Sequence, residues 1–246
     1  MILAVRFLTI VPVPGRDGAG PSALGRAAWW FPIVGLGLGA ALAGAARVVD
    51  VWTPPLVGAA LLVTGWKVAT GGIHLDGLAD SLDGLAGSDA GRRLAIMRDS
   101  RIGVFGATGL VLVLILFVAA LAELAAPMRS GLLLLAPVVG RVTPLLVGAW
   151  LRPATPGQGL GAAFAAGLSP WAGCVHAVAG LALATWLLGP RGAAIAAVAW
   201  SLALLWAGFA GRRFGGVTGD VLGAVVELGE LAVLLLGTIV AHRGTP

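Results

Sequence analysis

The sequence predicts an all-α fold, a polytopic bundle of membrane-spanning helices, on three observations. Apolar residues make up 59% of the 246-residue chain and charged residues 11%, against roughly 45–50% and 25% in soluble domains. Mean hydropathy is +0.98. The apolar residues fall in runs long enough to cross about 30 Å of hydrocarbon, parted by polar loops. The whole chain, 1–246, reads as one integral membrane domain with about seven transmembrane helices and one acidic helical segment.

Residues 1–11 read as a short interfacial helix, followed by a Gly/Pro/Arg loop through Arg26. Arg6 anchors to lipid headgroups or meets a ligand phosphate. The first span covers residues 29–46, where Trp29 and Trp30 suit the interface and Gly35, Gly37 and Gly39 allow another helix to approach closely. The second, 56–70, carries Lys67 in its last turn. An unpaired ammonium is costly there, so Lys67 either snorkels to the interface or faces the acidic helix that follows. From Gly72 to Arg101 the chain turns polar and carries five aspartates and four arginines. Later spans are 103–126, 131–151, 170–188, 192–210 and 221–241. The Gly-rich stretch 157–167 fits a re-entrant or interfacial piece.

Seven spans put ten arginines (6, 16, 26, 92, 93, 98, 101, 152, 212 and 213) on one side of the membrane. Only Arg47, Arg129, Arg191 and Arg243 fall on the other. The positive-inside rule makes the ten-arginine side, with the N-terminus and every unusual polar motif, cytoplasmic. The pI near 11.2 therefore reflects loops facing anionic lipid rather than nucleic-acid binding, since no soluble domain presents a basic groove. The lone Cys174 excludes an intrachain disulfide and a cysteine-built metal site.

The strongest motif is residues 70–84, in which Asp76, Asp80 and Asp83 stand at relative positions 0, +4 and +7. That spacing stacks three carboxylates on one helix face. Like charges so placed destabilise a helix, and oxygen-only ligands suit a hard cation such as Mg²⁺. The competing reading is a solvated face or a salt-bridge network with nearby arginines. His74, at the helix start, is compatible with metal binding or acid/base work, or is simply hydrogen-bonded. In residues 96–103, Arg98 and Arg101 flank Asp99 at a spacing that grips a phosphate or pyrophosphate from two sides; lipid headgroups are the alternative ligand. In residues 215–223, the glycines at 215, 216 and 219 can form an N–H cradle for an anion. Asp220 and Glu227 share a helix face there, and Glu230 can pair with another span. Arg141, alone in the fourth span, needs an acidic partner or a cavity.

Together these motifs resemble the cobalamin synthase family, adenosylcobinamide-GDP ribazoletransferase. The resemblance is carried by Arg6-Phe-Leu-Thr9, Phe31-Pro-Ile-Val-Gly35, residues 70–84, residues 96–106 and residues 216–224. It implies an integral enzyme of the cytoplasmic membrane of a bacterium or archaeon, dependent on Mg²⁺, acting at the last assembly stage of coenzyme B12. Adenosylcobinamide-GDP would be joined to α-ribazole or its 5′-phosphate, with release of GMP. Asp76, Asp80 and Asp83 would hold metal, with Asp83 or Asp220 as general base. Arg98, Asp99, Arg101, Lys67, His74, Gly216 and Thr218 would bind substrate. Membrane lipids are the expected surroundings, no nucleic acid is expected, and a homo-oligomer is compatible. Two departures are visible: Ser81-Leu82 replaces an expected threonine and small residue, and no tyrosine stands near Arg152. A CDP-alcohol phosphotransferase partly fits Asp76-Gly-Leu-Ala-Asp80, and a transporter would explain the intramembrane charges; both stay as alternatives.

Overall fold

A computed structural model describes residues 1–15 and 20–244, so Arg16 lies outside the described residues. The helices, in chain order, are α1 (Ile2–Leu8), α2 (Ala23–Ala27), α3 (Phe31–Trp52), α4 (Pro55–Ala69), α5 (Ile73–Gly84), α6 (Ala90–Met97), α7 (Val104–Glu123), α8 (Ala126–Trp150), α9 (Gly159–Gly167), α10 (Ala172–Phe214) and α11 (Gly219–Gly244). A 3₁₀ turn, Ala28–Trp30, joins α2 to α3. Among the described residues the chain forms no β-strand beyond one isolated parallel bridge, Pro153 with Val217.

Five stretches are long and apolar enough to cross a membrane, and α4 with α5 makes a sixth if that pair, bent by 89°, is one span. The 43-residue α10 is a hairpin. Gly189 has φ 66 and ψ −160 ahead of Pro190, a backbone that ends one helix before the ring of Pro190 starts the next. The two arms then pack on each other, since Gly180 lies against the Trp200 ring and Gly192 against Ala184. Counting both arms and α4 separately gives seven crossings, with the two halves of α10 matching the fifth and sixth expected spans.

Helix α8 is the axis, buried along most of its length against α3, α10 and α11. Of the three glycines expected to admit a neighbour, two do so. A Cβ at Gly35 would stand 2.5 Å from the Pro137 carbonyl oxygen and one at Gly39 2.8 Å from that of Leu133, whereas Gly37 faces open space. The outer faces of α3, α7 and α10 expose large apolar residues, among them Ile33, Ile115 and Leu205, as lipid contact requires.

Alternation of the crossings gathers α1, α2, α5, α6, α9, the start of α11 and the end of α10 at one end of the bundle. All nine described arginines of the richer set sit there. The opposite end holds the ion pair of Arg129 with Asp50.

Candidate active site

The acidic helix is set in place by a sharp turn and a close packing. Helix α4 ends at Thr70, and Gly71 and Gly72 take φ +63 and +68, a left-handed region that glycine enters without steric cost. Their N–H groups cap α4 on the carbonyls of Val68 and Lys67. The chain then runs across the bundle end as α5. There a Cβ on Gly77 would lie 2.7 Å from the Asp220 carbonyl oxygen, and Gly223 packs on the backbone of His74. Two glycines thus press α5 onto the first turn of α11 and bring the 76–80 region beside Asp220.

The three stacked aspartates then diverge in environment. Asp76 is exposed, Asp80 half-buried and Asp83 buried. The Asp83 carboxylate accepts N–H bonds from Gly103 (2.7 Å) and Gly106 (2.8 Å), so it caps the start of α7 and turns away from the open end. This differs from its expected place as metal ligand or base. Two orphan helix-start donors capture the carboxylate that a stacked face would otherwise present. Asp80, by contrast, lies within electrostatic reach of Asp76, Asp220 and Asp83.

Three cavities meet at this cluster. One of about 690 Å³ is lined by Asp76, Asp80, Arg98, Asp99 and Arg101. A second of about 150 Å³ is lined by Arg98, Thr218 and Asp220. The third, about 360 Å³, is lined by Phe7, Phe31, Phe164, His74, Arg6 and Arg141 and reaches Asp76 and Asp220. Asp76, Asp220 and Arg98 are each shared by two cavities, so the three adjoin as one branched chamber with two carboxylates and one arginine where they meet.

The arginine pair is unequal. Arg101 is clasped by Asp99 through Nε at 3.0 and 3.2 Å and Nη2 at 2.6 Å, and these bonds hold the Asp99 carboxyl at about 2. Arg98 is exposed and faces both polar cavities. The expected two-sided grip therefore rests on Arg98 first, with Arg101 already engaged.

The glycine cradle before α11 does not form. Gly216 donates its N–H to the Gly211 carbonyl (2.8 Å), closing the end of α10, and Val217 donates to Arg152 (2.9 Å). Thr218 accepts the Val221 N–H at 3.1 Å and caps α11. Gly216 and Thr218 thus shape the site by placing Asp220, their backbone and hydroxyl groups being already bonded.

Lys67 takes neither expected course. It is buried, donates to Glu227 (2.5 Å) and Glu230 (3.1 Å) of α11, and lies 4.1 Å from the Phe117 ring centroid and 4.7 Å from that of Trp66. Glu230 also pairs with Arg141, which supplies the partner that Arg141 required. This network ties α4, α8 and α11 together below the chamber, and Lys67 is thereby removed from the substrate-binding set. Phe7 and Phe31 fall within two of the motifs that carry the resemblance, but sequence reading gave them no site role, and it missed Phe164, an apolar residue among apolar residues.

Among the described residues, no three acidic, histidine or cysteine side chains converge tightly enough to enclose a metal ion alone. Asp76 and Asp80 offer oxygen donors on the wall of the larger polar cavity. That set suits a hard divalent cation completing its shell with water and phosphate oxygens.

Fold and site define a polytopic helical membrane protein with a carboxylate-lined, anion-receptive chamber at one end. The chain belongs to the cobalamin-5-phosphate synthase family, whose model matches residues 1–238. It is 43% identical to an adenosylcobinamide-GDP ribazoletransferase of Pseudomonas paraeruginosa, over 96% of each chain. Proteins of the same name from Roseiflexus sp. (40% identical, over 97% of this chain and 88% of the relative) and Geotalea daltonii (38%, over 98% and 97%) are similar throughout. These matches favour neither the CDP-alcohol phosphotransferase nor the transporter reading. No solved structure matches the chain.

Proposed function

We propose that the protein joins adenosylcobinamide-GDP to α-ribazole or its 5′-phosphate and releases GMP, at the cytoplasmic face of its membrane. The observation that supports this most is the junction itself. Asp76, Asp80 and Asp220 stand together where polar cavities carrying Arg98 meet an aromatic one, and the relatives bear the name of that activity.

The reaction needs one in-line displacement. A ribose hydroxyl oxygen of the acceptor bonds to the cobinamide-side phosphorus, the bond from that phosphorus to the bridging oxygen breaks, and GMP leaves with the bridging oxygen. Asp220 accepts the hydroxyl proton: it lines the aromatic cavity and a polar one, whereas Asp76, which also lines two cavities, is assigned with Asp80 to the metal, and Asp83 is committed to backbone donors. Arg98 holds the pyrophosphate oxygens by charge-assisted hydrogen bonds. Asp76 and Asp80 would hold Mg²⁺, which supplies neutralisation of the pyrophosphate and of the leaving phosphate. The nine arginines at this end support a cytoplasmic position by the positive-inside rule.

GMP release by purified protein in lipid vesicles, supplied with both substrates and Mg²⁺, tests the reading. Asp80→Asn is expected to lower the rate by about 10³-fold, several kcal/mol of lost charge stabilisation. A rate near wild type at saturating Mg²⁺ would remove the acidic helix from the chemistry.

A further inference from the structure

The two larger cavities differ in size, polarity and wall chemistry, and only one suits the smaller substrate. We infer that the aromatic cavity is the acceptor subsite, taking the flat heteroaromatic base of the riboside; the assignment rests on the proposed transferase reading. Four observations carry it.

First, at about 360 Å³ the cavity is at the lower end of small-ligand sites. It admits a two-ring base with its ribose and is far too small for a corrinoid bearing GDP. Second, three aromatic rings stand together among the aliphatic side chains of its wall, such as Leu8, Leu24 and Leu160. Phe7 and Phe31 stack with ring centroids 5.8 Å apart and an interplanar angle of 14°, and Phe164 lies 6.0 Å from Phe31. Such rings bind flat π-systems by offset stacking or edge contacts. Third, the cavity has unpartnered polar groups on its walls. His74 lines it and is 4% exposed, yet its Nδ1 has no hydrogen-bond partner. A buried polar atom left so is costly unless something else satisfies it. A ring nitrogen of the base or a ribose hydroxyl offers what Nδ1 lacks. An acyl chain filling the same space would leave it unsatisfied. Fourth, Asp76 and Asp220 stand on its wall, so a riboside with its base among the rings presents its hydroxyls toward the carboxylate that takes the proton. The pyrophosphate substrate is left the open polar cavity with Arg98, and the two reactants approach the junction from opposite sides.

Steady-state kinetics of GMP release in reconstituted vesicles, varying one substrate at a time, tests the division. Phe164→Ala and His74→Ala are each expected to raise KM for α-ribazole about tenfold, the size of one lost stacking or hydrogen-bonding contact, and to leave KM for adenosylcobinamide-GDP within about twofold. Arg98→Ala should show the reverse. Equilibrium binding of α-ribazole to the wild-type protein, competed by free benzimidazole and not by GDP, makes the same test without relying on a variant that folds. A shift falling on adenosylcobinamide-GDP, or on neither substrate, or competition by GDP would overturn the assignment while wild-type GMP release stood. Wild-type protein inactive with both substrates would instead overturn the transferase reading beneath it.

Discussion

Two clusters of charge sit on α11 within three helical turns of each other, and they are built on opposite principles. The deeper one is balanced. Lys67 and Arg141 face Glu227 and Glu230, all buried, each in at least one ion pair. The outer one is looser, with Asp76, Asp80 and Asp220 lining cavities that also carry Arg98 and Arg6. Removing four charges from water costs several kcal/mol each unless they are paired. The deeper cluster offsets much of that cost by its ion pairs and so joins helices. The outer cluster keeps its mutual repulsion and so has affinity to spare for a cation or a charged substrate.

That contrast can be broken at several points. The largest effect should come from unbalancing the deep cluster. Glu230→Ala strands Arg141 and is expected to lower stability by about 3–5 kcal/mol, seen as a fall in thermal midpoint in lipid or detergent. The triple change Lys67→Met, Glu227→Gln and Glu230→Gln leaves Arg141 stranded as well and should recover little, whereas adding Arg141→Met should recover most of the loss.

Next comes Asp220→Asn. It should cost at least about 100-fold in kcat, the usual worth of a general base, with the thermal midpoint unchanged.

Asp83→Ala should do the converse. It removes the acceptor for two helix-start donors, lowers stability by about 1–2 kcal/mol and reduces kcat by less than about tenfold. A loss as deep as that of Asp220→Asn would return Asp83 to the reacting set.

The smallest effect concerns the arginine pair. Arg98→Ala should raise KM for adenosylcobinamide-GDP by about 10-fold or more, and Arg101→Ala by no more than about threefold. The Asp99–Arg101 pair has a simple pH signature. Because the Asp99 carboxyl is held at about 2 when folded, below roughly 3.9 for a free aspartate, its contribution is full well above pH 4, declines as pH falls from about 4 to 2, and is lost below 2. An acid limb of the rate profile between pH 5 and 7 should therefore survive Asp99→Asn unchanged.

Much of this was legible in the sequence. Composition and run length predicted the helical membrane bundle, and the turn at Gly189-Pro190 separates spans where the hydropathy does. The 0, +4, +7 spacing foresaw one crowded helix face. It could not foresee which carboxylate the start of α7 would capture, because Gly103 and Gly106 lie 20 and 23 residues beyond Asp83 and reach it only through packing. Lys67 illustrates the same limit. Its cost in an apolar span was evident, but its partners Glu227 and Glu230 lie 160 and 163 residues away, and a charge pattern along one chain does not say which helices become neighbours. The cradle expected from Gly215, Gly216 and Gly219 failed for a local reason. The same glycines that favour an anion nest also favour ending one helix and starting the next, and the end of α10 claims the N–H groups of Gly215 and Gly216 first.

The bend at Gly71-Gly72 also limits how much hydrocarbon α4 can cross. Helix α4 has 15 residues, about 22 Å at 1.5 Å per residue, some 8 Å short of a typical hydrocarbon thickness. With α5 leaving at nearly a right angle, a bilayer crossed by α4 alone would have to thin locally to meet the start of the acidic helix. Turnover in vesicles should therefore depend on acyl-chain length, with shorter lipids relieving a mismatch that longer ones impose on the floor of the chamber.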